Sequence, residues 1–171
     1  MASAGGQEAS SSTSKCTSTS GYDVFLSFSG KDIRKTFLDY LYTALVEAGF
    51  QTFRDDEEIE KTKNINSELE KAIQQSRSSI VVFSKNYASS KWCLDELVMI
   101  VERRRRTPQF VLLPVFYHVD PSHVRNQTGS LAAAFAGHVK CFAEEQIQGW
   151  RKALREVAEL AGMVLVNQAN G

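Results

Sequence analysis

Trp92 and Glu96 stand four residues apart in the stretch KWCLDELVMI, Lys91 to Ile100. Leu94, Leu97, Val98 and Val101 recur there as one apolar helical stripe, and helical geometry puts Trp92 and Glu96 on the other side of it. A carboxylate beside an indole face could form the charged and aromatic walls of a ligand pocket. The same pair also reads as an acid complementing the helix macrodipole, with Trp92 packed on a neighbouring loop. Ser29-Gly30-Lys31-Asp32 could bind a ligand, yet it meets neither glycine-rich phosphate-binding pattern. It reads equally as a strand-to-helix turn with Asp32 as N-cap. The run Asp55–Glu60 lacks the glycine and spacing of a calcium loop. Arg103–Arg106 could contact phosphates, but cations are ordinary at a helix C-terminus. His118, His123 and His138 have no metal spacing, so no metal site is expected, and no serine or cysteine sits in a recognisable nucleophile elbow. Asn126-Gln127-Thr128 is a glycosylation sequon, expected to be silent without a signal peptide.

The elements that must position these residues alternate strand and helix. Tyr22–Phe28, Phe50–Arg54, Ser78–Ser84 and Phe110–Tyr117 read as strands, and Met163–Val166 as an edge strand. Ile33, Phe37, Leu41, Ala44, Leu45 and Ala48 recur as a helix closed by Gly49. A second helix carries Ile65, Leu69, Ala72 and Ile73, with Ser67 and Glu70 fitting a capping box. A third is KWCLDELVMI, running into the arginines with Pro108 behind. Asp120-Pro121 opens a turn in the N-cap-then-proline order, residues 130–139 form a small helix, and Ile147, Trp150, Leu154, Val157, Ala158 and Ala161 mark a long last one. Three strands are continuously apolar, as in a parallel sheet covered on both faces. Ligands of such α/β sheets bind outside the carboxyl ends of the strands. The loop Ser29–Asp32, the charged loop from Asp55 and the Trp92–Glu96 turn would meet on that rim.

The chain has 171 residues, enough for one domain and a tail. At 43 % hydrophobic and 23 % charged residues it is globular in composition. Twenty basic residues balance twenty acidic ones, which gives no argument for nucleic acid. No apolar run is long enough to span a bilayer, so no membrane association is expected, and the N-terminus lacks a signal-peptide core. Three scattered cysteines argue against a disulfide framework, with a reduced intracellular compartment as the default. Residues 1–20 are half serine and threonine and read as a disordered leader. The folded part is expected over 21–166, with a tail at 167–171.

Tyr22–Phe28 (YDVFLSF), TFRDD, SIVVFSKNYASSKWCLDEL, PVFYHVDPSHVRNQTGS and the Trp150 helix together resemble the Toll/interleukin-1 receptor (TIR) domain in its plant immune-receptor form. The resemblance runs from about Tyr22 to Gly162. It implies a flavodoxin-like α/β fold, a five-stranded parallel sheet in order 2-1-3-4-5 with helices on both faces. It also implies hydrolysis of NAD⁺ or NADP⁺, as substrate rather than cofactor, at the nicotinamide–ribose bond. Glu96 is then the catalytic acid. Phe28, Ser29, Gly30, Asp32, Asp55, Thr62 and Trp92 would bind substrate. Arg34, Asp39 and Tyr40 would serve self-association with other TIR domains, and the nucleotide products would reach nucleotide-sensing defence proteins indirectly. A cytoplasmic location, with the nucleus as a second site, is implied.

The sequence departs from the family pattern at marked places. Ser29 replaces the arginine of Phe-Arg-Gly, Lys31 replaces an acid, Thr62 replaces a glycine, and Asp39-Tyr40 replaces a Ser-His pair used in stacking. These departures make weak self-association and slow turnover the expectation, and keep a non-catalytic interaction module as the alternative function. An aspartyl-phosphate receiver on the same fold is disfavoured, because Phe28-Ser29 stand where its acidic pair belongs.

Overall fold

The computed structural model describes residues 21–33, 37–54 and 65–166. The expected leader, the charged loop with Asp55 and Thr62, Arg34 and the tail at 167–171 lie outside the described residues.

Five parallel strands form one sheet in the order β2-β1-β3-β4-β5, as expected. They are β1 (Val24–Ser27), β2 (Thr52–Arg54), β3 (Ser78–Phe83), β4 (Val111–Tyr117) and β5 (Met163–Leu165). Every residue of β1 is buried, because β1 has a strand on each side and helices on each face. Its side chains alternate between two cores. Phe25 joins the larger one with Ile73, Val81, Leu97 and Trp150. Val24 and Leu26 join the smaller one with Phe28, Leu38, Val82 and Val115. Strand serines satisfy the backbone locally: the Ser79 hydroxyl donates to the Phe25 carbonyl at 2.9 Å.

The helices are α1 (Gly30–Ile33), α2 (Phe37–Glu47), α3 (Ile65–Gln75), α4 (Lys91–Arg106), α5 (Pro121–Asn126), α6 (Ser130–His138) and α7 (Glu144–Ala158). α2 covers the smaller core and buries only Leu38 completely, with Phe37, Leu41, Tyr42 and Leu45 half-buried around it. Its expected stripe is therefore shifted: Ala44 and Ala48 face solvent. Gly49 closes α2 at φ 91°, with Phe50 N–H bonded to Leu45 O and Gly49 N–H to Val46 O, both 3.0 Å. That is the Schellman arrangement, which glycine reaches without steric cost.

Two local expectations are corrected. α3 begins at Ile65, so Ser67 lies inside the helix rather than at its N-cap. α1 begins at Gly30, so Asp32 is an internal residue rather than the N-cap. The Asp120-Pro121 order is as expected: Asp120 is the N-cap of α5 and accepts the Ser122 N–H at 2.8 Å, Pro121 occupies the first turn, and Gln127 ends α5 at φ 50°. Proline at that position gives up only an N–H that would have been unpaired.

β5 is laid against β4 by a close approach. Pro114 in β4 has no N–H to offer, and β5 starts pairing one residue later, at Val115↔Met163. A Cβ on Gly162 would come within 2.3 Å of the Pro114 carbonyl oxygen. Glycine is required there by space.

Candidate active site

Ser27 ends β1, and the chain turns at once through Phe28 and Ser29 into α1. On the other side of β1, β3 runs out into a short 3-10 turn, Tyr87–Ser89, and then into α4. Ser90 is the N-cap of α4 and accepts the Cys93 N–H at 3.3 Å. The parallel pairing Ser27↔Val81 thus brings the end of β1 beneath the first turns of α4.

Glu96 reaches that junction. The Ser27 hydroxyl donates to Glu96 Oε2 at 3.1 Å. The Tyr87 hydroxyl lies 2.8 Å from Ser27 Oγ and donates to the Cys93 carbonyl at 3.1 Å. Cys93 Sγ–H donates to the Phe28 carbonyl at 3.4 Å. Burial holds the Tyr87 phenol well above its ordinary pKa of 10.0. Tyr87 is therefore protonated throughout the physiological range.

Glu96 is 4 % exposed, which corrects the expectation of an acid on the face away from the core. The buried arc of α4 contains Cys93, Leu94, Glu96, Leu97, Ile100 and Val101. Glu96 lies about 40° from Ile100 and about 60° from Cys93 on the helical wheel. A stripe drawn through Leu94, Leu97, Val98 and Val101 omits Cys93 and Ile100, and so misplaces the centre of that arc. α4 packs on the sheet, on α3 and on α7 together, which makes the arc wide.

Trp92 is half-buried one turn before Glu96, and Lys91 Nζ sits 4.8 Å from its ring centroid. Phe28 is 8 % exposed and packs in the smaller core rather than walling an open pocket. Ser29 is 4 % exposed, so a small side chain closes the position where the family carries arginine. Gly30 is half-buried at the start of α1, and the side chain of Asp32 lies outside the described residues, as do Arg34, Asp55 and Thr62. Tyr40 is 82 % exposed on α2. Asp39 instead bonds Arg54 Nη1 at 2.7 Å within its own chain, and Arg54 also covers the Tyr42 ring. The structure thus gathers Phe28, Ser29 and Glu96 at the end of β1 and puts Asp39 and Tyr40 elsewhere.

Two residues at this junction were not singled out in the sequence. Ser27 had a readable signal, a hydroxyl inside an otherwise apolar buried strand, which must find a partner. Tyr87 had none. The second acid of the stretch, Asp95, has a structural position: it accepts Trp150 Nε1–H at 2.9 Å and Lys91 Nζ at 2.6 Å. A groove of about 430 Å³ opens beside it between α3, α4 and α7, lined by Glu70, Val98, Met99, Glu145 and Trp150 among others. None of the expected substrate-binding residues among those described lines it. Among the described residues no group of three or more His, Cys, Asp or Glu side chains could hold a metal ion, and no helix is long and apolar enough to cross a membrane.

The sheet order belongs with the TIR fold, and the comparisons agree. The TIR domain family profile matches residues 21–170. This chain belongs to the TIR domain family. It is 52 % identical over 158 residues to disease resistance protein RPV1 of Vitis rotundifolia and 53 % identical over 152 residues to TMV resistance protein N of Nicotiana glutinosa. Those alignments cover 92 % and 88 % of this chain but only 11 % and 13 % of the relatives' length. Among solved structures, the TIR domains of the activated Roq1 resistosome, which directly recognises the pathogen effector XopQ, superpose with a TM-score of 0.78 at 50 % identity, covering 88 % of this chain and 92 % of that one.

Proposed function

We propose that this chain is the TIR domain of a plant defence protein and that it hydrolyses NAD⁺ or NADP⁺ at the nicotinamide–ribose bond. The observation that carries the reading is Glu96, a carboxylate buried at the carboxyl end of β1 and held by the Ser27 hydroxyl. Breaking the bond to nicotinamide builds oxocarbenium-like positive charge on the ribose. A fixed carboxylate, already desolvated, stabilises that charge or holds the ribose hydroxyls without reorganising. Nicotinamide leaves as a neutral ring, so one acid suffices. Other TIR domains are the partners, by analogy with the Roq1 assembly, and nucleotide products carry the signal to nucleotide-sensing defence proteins. The cytoplasm is the expected site of action, with the nucleus second.

The test is nicotinamide release from NAD⁺ and NADP⁺ at rising protein concentration, with Glu96→Gln alongside. Release that rises faster than linearly with protein and falls at least about a hundredfold in Glu96→Gln supports the reading. Equal release by the variant removes Glu96 from the chemistry. The second reading, an interaction module without catalysis, is favoured by two observations: Glu96 is nearly closed to solvent, and Asp39 is engaged by Arg54 rather than free to meet a second copy. An inactive parent at every concentration selects it.

A further inference from the structure

We propose that Tyr87 and Ser27 form a directional hydrogen-bond relay, Tyr87 O–H to Ser27 O–H to the Glu96 carboxylate, which positions Glu96. The number of protons available fixes the direction. Ser27 Oγ is 3.1 Å from Glu96 Oε2 and 2.8 Å from Tyr87 Oη. A carboxylate has no proton to give, so the Ser27 hydrogen goes to Glu96. Two hydroxyl oxygens 2.8 Å apart attract only if one of them donates to the other. The remaining donor is Tyr87, which aims at Ser27 Oγ and shares its hydrogen with the Cys93 carbonyl at the longer distance of 3.1 Å.

All three side chains are buried: Ser27 is 0 %, Tyr87 1 % and Glu96 4 % exposed. Water therefore does not compete strongly for these donors. The phenol keeps its proton because burial raises its pKa, so the donor at the head of the relay is constant. Tyr87 is itself fixed, edge-on to Phe83 with centroids 5.0 Å apart. Cys93, from the same helix as Glu96, also meets this junction. Ser27 and Tyr87 are positioning residues in this account: they act on the substrate only through Glu96.

Only the catalytic half of the inference rests on the proposed NAD⁺ hydrolysis. The experiment therefore reads two quantities. One is the titration of the Glu96 side-chain carboxyl, followed by NMR with ¹³C-labelled glutamate and assigned with Glu96→Gln. The other is kcat and KM for nicotinamide release. Removing the donor in Ser27→Ala is expected to move the titration to higher pH and to lower kcat about tenfold or more, with KM little changed. Tyr87→Phe keeps the ring and is expected to give a smaller shift of the same sign. In the double variant, Tyr87→Phe should add nothing to Ser27→Ala, because its effect passes through Ser27. Shifts that add in the double variant, or a titration unmoved by Ser27→Ala, overturn the relay. A relay seen by titration in a protein that releases no nicotinamide leaves the relay standing and overturns the hydrolase reading instead.

Discussion

Replacing Trp150 by phenylalanine should detach the last helix from the helix that carries Glu96. Trp150 is 1 % exposed. Its Nε1–H donates to Asp95 at 2.9 Å, and its ring meets His138 and Phe142 edge-on with centroids 5.2 Å away in both cases. A hydrogen bond to a charged acceptor contributes about 1.5–3 kcal/mol. Losing the pyrrole part of the ring opens a void and weakens the edge-on pairs, each worth about 0.5–1.5 kcal/mol. Because phenylalanine keeps part of both, a total of about 3 kcal/mol is expected. For a domain of this size that corresponds to a fall in Tm of about 6–12 °C. Differential scanning calorimetry measures it. The control is Asp95→Asn, which keeps an oxygen for Trp150 but loses the ion pair to Lys91. Both partners of that pair are about one-third exposed, so the control should cost no more than about 1 kcal/mol. A Trp150→Phe protein that melts with the control refutes the claim that the indole–carboxylate bond joins α7 to α4.

Three further outcomes are expected. Leu38→Ala removes the one fully buried side chain of α2 and should cost about 2–5 kcal/mol by chemical denaturation. Gly162→Ala should cost about 1–3 kcal/mol and loosen β5 first, seen as faster amide exchange at Leu165 and His118, because the added carbon meets the Pro114 carbonyl. Hydrogen bonds from the Ser122 side chain and then from its backbone hold the Asp120 carboxyl below its ordinary 3.8. A lowered folded-state value means that its contribution is complete above 3.8 and is lost as pH falls through the lower folded value. The start of α5 should fray over that acid range, reported by the Ser122 amide resonance, and Asp120→Asn should abolish the acid dependence there.

Much of the fold was legible because its signals are local or binary. Apolar strands such as Ser78–Phe83 announce a sheet buried on both faces, and Gly49 and Asp120-Pro121 mark positions where backbone geometry admits few residues. The family motifs supplied the strand order. The placement of Glu96 was not legible in the same way. A helical wheel gives the angle between residues but not how much of the circumference neighbouring elements cover, and α4 is covered by the sheet and by two helices. The ion pair of Asp39 was not legible for a related reason: its partner, Arg54, is fifteen residues away on another element, and no periodicity reports that. The Ser67 capping pattern matched by composition alone, while the helix had already begun at Ile65.

The contacts that join Glu96 to the end of β1 span long stretches of chain: 60 residues between Ser27 and Tyr87, 69 between Ser27 and Glu96, and 65 between Phe28 and Cys93. Contacts of such separation form late, since the entropy of closing the intervening loop must be met before they return anything. A chain emerging from the ribosome through β1 and β2 carries half of this junction and none of its acid. The carboxylate is set only when β3 docks beside β1 and α4 folds down over both. The order of synthesis thus acts as a timer that keeps the junction unassembled until most of the sheet exists.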